Sequence, residues 1–134
     1  MKNQRGSTIL EFAVVLPLLL LLVIGMFRFS ILGYQYLTLN EATVAGAQEV
    51  SINRGTGLDP CALAVSAIKA AAVNLNPASL SVSISFNGGS AVTTGTCSPQ
   101  ALVAGQTINV AATYPCSVAI PGCILKSQVA ETIQ

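Results

Sequence analysis

The chain has 134 residues, of which 52% are apolar and only 8% charged, with a net charge of +1 and neither histidine nor tryptophan. That balance offers no electrostatic footprint for nucleic acid, and the missing imidazoles exclude histidine catalysis and histidine metal sites. No enzyme and no cofactor are expected, and the length allows one domain plus an N-terminal segment.

Met1 to Gly6 is short and basic, with Lys2 and Arg5 and no acid. Phe12 to Phe27 then runs without a charge, and apolar character resumes through Leu39, interrupted by Arg28, Ser30 and Gln35. The expectation is one long helix over residues 7–53, with a membrane-spanning part at about 9–38. Crossing about 30 Å of hydrocarbon takes about 20 residues, so the length suffices. The basic flank keeps the N-terminus cytoplasmic and sends the remainder outward. Pro17 removes one backbone hydrogen bond, a loss that membrane helices tolerate better than soluble ones. Arg28, Tyr34 and Tyr36 suit the outer membrane–water boundary. Further on, Leu37, Leu39, Val44, Ala45, Ala47 and Val50 alternate with polar residues, so the distal third should pack on the domain that follows. Asn53-Arg54-Gly55 supplies the turn chemistry that ends the helix.

Residues 54–134 read as a small α+β domain outside the cytoplasm. Asp59-Pro60 is an N-cap followed by proline at the first helical position, opening a helix through Ala62, Val65, Ile68, Ala72 and Val73. "LSVSISF" (Leu80 to Phe86) alternates strictly, with Val82, Ile84 and Phe86 on one face of a strand. Asn87-Gly88-Gly89 is a turn, "AVTTGTC" a weak strand, and "QTINVAATYP" (Gln106 to Pro115) a stronger one with Ile108 and Val110 inward. Leu125 to Ile133 reads equally as a helix or a strand. The sheet should be antiparallel, with two to four strands.

Cys61, Cys97, Cys116 and Cys123 all follow the apolar segment, and their even number in a small polar domain points to two disulfides. A four-cysteine zinc site fits poorly, because no CxxC pair exists. If the strand after the second helix runs back along it, Cys97 falls near the start of that helix. This favours Cys61–Cys97, with Cys116–Cys123 closing a Pro-Gly loop, among the three connectivities that four cysteines allow.

Glu11 is the anomaly. A carboxylate in hydrocarbon costs roughly 2.5 kcal/mol or more on insertion scales and usually marks function. A plain signal-anchor explains the basic start and the apolar run but not the acid. A cleaved signal peptide has its small-x-small site at Ala45-Gly46-Ala47, well beyond the apolar core. The third reading places a cut between Gly6 and Ser7: a short basic leader ending in glycine, then a helix whose fifth residue is Glu, resembles a type IV prepilin. In that setting cleavage frees an amino group on Ser7, which can pair with Glu11 of another subunit and set axial register.

Arg5-Gly6, Ser7-Thr8, Glu11-Phe12-Ala13, Leu16-Pro17-Leu18, Gly25 to Phe29 and Ala42 to Ala47 together resemble the TadE-like proteins of the tight-adherence (Tad, or Flp) pilus system. The likeness covers Arg5 to Val50, about a third of the chain. Beyond it the chain shares only a general likeness, including Tyr114-Pro115 and a polar end with Glu131. The resemblance implies a minor pseudopilin of the bacterial inner membrane, cut by a prepilin peptidase. It also implies partnership with other pilin subunits, the pilus assembly machinery and inner-membrane lipid, in adhesion and biofilm formation. Arg28 departs from the pattern, which often has an acid there. A major filament subunit and a signal-anchored adhesin that never polymerises are the alternatives. The small residues Ala42, Ala45, Gly46 and Ala47 would allow close helix–helix approach.

Overall fold

The structure is a computed structural model that describes residues 5–53, 57–93, 97, 102–117 and 121–133, with side chains from residue 9 onward. Lys2, the Arg54-Gly55 part of the expected turn and the middle of "AVTTGTC" lie outside the described residues. Helix α1 spans Arg5–Ile52 and contains Pro17. Ser7, the expected start, already lies within it. The chain divides into two units, Met1–Gly33 and Tyr34–Gln134.

The first unit is apolar helix. From Ile9 to Gly33 every residue is exposed except the half-buried Leu32, so the described residues cover little of this surface.

The second unit begins with the rest of α1. Its buried face is Thr38, Leu39, Ala42, Thr43, Gly46, Ala47 and Val50. The spacing repeats about every four residues, as a helix face must. Leu37 and Val44, read as part of the packing pattern, are instead 60% and 36% exposed. Two residues on a helix are about 200° apart, so Leu37 points away when Leu39 points inward. The buried threonines stay satisfied locally: Thr43 Oγ1 donates to the Leu39 carbonyl at 2.7 Å, and Thr38 Oγ1 to that of Tyr34 at 3.0 Å.

Helix α2 spans Pro60–Ala71, with Asp59 as N-cap and Pro60 in the first turn. It stops short of Val73; the Ala72 amide donates to the Ile68 carbonyl, and Asn74 takes a left-handed φ of 67°. A 3-10 turn, Pro77–Ser79, leads into the sheet.

The sheet has three antiparallel strands, β1 (Ser81–Phe86), β2 (Thr107–Pro115) and β3 (Ile124–Thr132), in the order β1-β2-β3. The segment Leu125 to Ile133 is thus a strand rather than a helix. Registers are fixed by pairs such as Ile84↔Val110 and Val110↔Val129. One face carries Val82, Ile84, Ile108, Val110, Ala112 and Tyr114 into the core; the other carries Ser81, Ser83, Asn109, Thr113, Lys126 and Gln128. The core also takes Leu39, Ala47 and Val50 from α1 and Cys61, Ala64 and Ile68 from α2. Of "AVTTGTC", Val92 forms a single antiparallel bridge to Ile84, reached through a turn with Asn87 and Gly88 both at positive φ.

Candidate assembly segment

Gly6, Ser7 and Glu11 all lie in the first turns of α1. Arg5 is the first residue of α1.

Glu11 is exposed, with no hydrogen-bond or ion-pair partner among the described residues. Its neighbours Ile9, Leu10, Phe12, Val14 and Val15 are all exposed and apolar. The helix is long and apolar enough to cross a membrane. Glu11 thus sits on a bare hydrocarbon surface where a carboxylate needs an external partner.

Residues 6–48 match the family model of TadE-like protein. This stretch of α1 is similar to TadE-like protein. The TadE-like match ends inside α1, so the sheet and all four cysteines lie beyond it. Neither the curated proteins nor the solved structures contain a match to the chain.

In the second unit three side-chain bonds among the described residues fasten the TadE-like helix. The Asn74 amide donates to the Tyr34 hydroxyl at 3.2 Å, Ser117 Oγ to Gln35 Oε1 at 3.0 Å, and buried Ser127 Oγ to Asn40 Oδ1 at 2.9 Å. Tyr34, expected from sequence at the membrane boundary, also bonds the domain. No local signal could reveal this, because its partner is 40 positions away. The small residues also find a partner within the chain. A Cβ on Gly46 would collide with Ile68 of α2 and lie 3.3 Å from the Ala64 carbonyl oxygen. Ala42 and Ala47 are buried beside it, whereas Ala45 is half-buried.

The cysteines form two pairs: Cys61 with Cys97, Cα atoms 5.5 Å apart, and Cys116 with Cys123 at 5.4 Å. The second pair continues the β2–β3 register beyond Pro115↔Ile124, and the Cys116 amide donates to the Cys123 carbonyl. Asp59, Cys61 and Cys97 cluster closely enough to suggest a metal site. Both sulfurs are bonded to each other, however, and a ligand sulfur must be a thiolate. The Asp59 carboxylate has another task. It accepts from the amides of Cys61 (3.0 Å) and Ala62 (3.2 Å) and, across the disulfide, from that of Cys97 (3.1 Å). An open groove beside α2, lined by Val65, Lys69, Ser81, Ser83 and Thr93, has one charged group and no nucleophile–base pair. Among the described residues, no buried side-chain polar atom lacks a partner.

Proposed function

We propose that the chain is a minor pseudopilin of a Tad (Flp) pilus, cut between Gly6 and Ser7 by a prepilin peptidase. The observation that carries this reading is Glu11, unpartnered among the described residues on an exposed apolar helix whose residues 6–48 match the TadE-like family. Lys2 and Arg5 hold the leader on the cytoplasmic side, and the disulfide-bearing domain faces outward. The anchor occupies the bacterial inner membrane until the subunit joins the assembly. The new ammonium of Ser7 on one subunit pairs with Glu11 of the next. In low dielectric an unpaired charge is expensive, so this pair fixes axial register more than it adds stability. The chain performs no reaction of its own; it assists pilus assembly, and through it adhesion and biofilm formation.

N-terminal sequencing of the membrane-purified protein tests the reading. The mature chain starts at Ser7; an intact Met1 would leave a signal-anchored adhesin. Gly6→Ala blocks the cut. Glu11→Ala is cut nearly as wild type but fails to enter filaments, and normal incorporation of that variant would remove the pairing role. The ratio of this chain to the principal subunit in sheared filaments separates a minor component from a major one.

A further inference from the structure

Between Arg5 and Glu41 the sequence holds two charges, Glu11 and Arg28. Both side chains are exposed, and neither has an ion-pair partner among the described residues. Each is costly in hydrocarbon when alone, and their charges are complementary. They cannot meet within one chain: their separation in sequence, at about 1.5 Å rise per residue, puts them about 26 Å apart along the axis.

We propose that Arg28 of one subunit is the counter-ion for Glu11 of a second copy displaced outward by about 26 Å. This rests on the pseudopilin reading above and adds a second, longer contact to it. Pairing with the Ser7 ammonium requires a stagger of only about 6 Å, so the two contacts belong to different neighbours.

The geometry restricts where the pair forms. Copies inserted by the same leader point the same way, which excludes the antiparallel pairing that would match the charges twice. Parallel copies at equal depth keep the carboxylate and the guanidinium at opposite ends of the hydrocarbon. The required displacement approaches the hydrocarbon thickness of about 30 Å. Glu11 therefore reaches the level of Arg28 on a membrane-resident copy only when its own chain has been raised nearly clear of the bilayer. Glu11 and Arg28 also project from faces about 100° apart, leaving each open to a different neighbour. Such a head-to-tail contact does not close on itself, so it leaves both outer ends open to further subunits.

The surface around Arg28 is suited to a close neighbour. Gly25 lies one turn before it, and a Cβ there would meet nothing within 4 Å. Leu21, Leu22, Met26, Phe29 and Ser30 line a shallow groove at this glycine. Small residues at such points let helix backbones approach. The planar guanidinium then offers a carboxylate two parallel hydrogen bonds.

Cross-linking in cells that assemble the filament tests the stagger while leaving both charges in place. Val14 and Ile31 each follow a member of the pair by three positions and are exposed. Full-length V14C and I31C chains carrying different tags are co-expressed, and sheared filaments are oxidised. A mixed V14C–I31C dimer is expected in filaments and not in membranes of assembly-deficient cells. Filaments containing both variants but yielding only same-position dimers, or none, overturn the proposal. In parallel, Arg28→Glu places two acids together and should lower incorporation at least tenfold, with the mature N-terminus still at Ser7, whereas Arg28→Lys retains most of it. An arginine that merely snorkels to the outer interface gives processed Arg28→Glu that incorporates like wild type, which sinks this pair and spares the pseudopilin reading. A wild-type chain that keeps Met1 sinks both.

Discussion

Asp59 shows how much one carboxylate can organise. Its oxygens cap α2 and also hold the amide of Cys97, so one side chain joins the start of a helix to a loop. Asp59→Ala should cost about 1–2 kcal/mol for the cap, with the Cys97 bond adding to it. Asp59→Asn keeps an acceptor oxygen and should recover most of the loss, as thermal unfolding of the full chain in detergent would show. Gly46 poses the opposite problem. Alanine there gains about 1 kcal/mol of helix propensity but forces a methyl into wholly buried Ile68. Overpacking of this kind costs about 1–3 kcal/mol, so Gly46→Ala should unfold at lower temperature than wild type. At this scale the sequence was only partly legible. The Asp59-Pro60 cap announced itself through local chemistry, whereas the Tyr34–Asn74 and Asn76–Tyr114 bonds depend on a fold that no local pattern encodes.

Among the elements, legibility follows how strongly burial patterns the residues. Strand β1 alternates valine, isoleucine and phenylalanine with serine, and β2 alternates as cleanly. Strand β3 does not: its inward positions are Leu125, Ser127, Val129 and Glu131, of which only two are apolar. An edge strand closing one side of a small core needs little apolar surface, and its period is correspondingly faint. Among the described residues of "AVTTGTC", Val92 forms a bridge to Ile84. The distal part of α1 is legibly amphipathic, but its inward face is narrower than its apolar residues suggest and leaves out Leu37 and Val44. The disulfides differ in weight. Cys61–Cys97 joins residues 36 apart and Cys116–Cys123 residues 7 apart. Chain entropy alone assigns about 4 kcal/mol to the longer closure and about 2 to the shorter. Replacing both Cys61 and Cys97 with serine should therefore lower the unfolding temperature more than the same change at Cys116 and Cys123.

The whole molecule divides at Gly33. No residue before Thr38 is buried in the described structure, and the core cluster begins at Leu39. A chain trimmed to residues 34–134 and exported to an oxidising compartment should fold without detergent and show four cysteines blocked to thiol reagents. The untrimmed chain should need a bilayer or micelle to stay dispersed, given the bare apolar surface from Ile9 onward. The TadE-like match spans most of α1 and ends before α2 begins. The matched segment holds both the exposed apolar stretch from Ile9 onward and the α1 face buried in the core.

Neither disulfide includes a residue of α1: one links α2 to a loop, the other spans the β2–β3 hairpin. Apart from the main chain that leads out of α1, the stapled part of the fold is therefore held against its own handle by non-covalent contacts. If the subunit is pulled, tension entering through the helix meets apolar packing and three side-chain hydrogen bonds before it meets any covalent cross-link. Mechanical yield should then begin at the seam between α1 and the sheet. The cross-linked remainder would hold its shape after the helix has slipped, which makes that seam the fuse of the molecule.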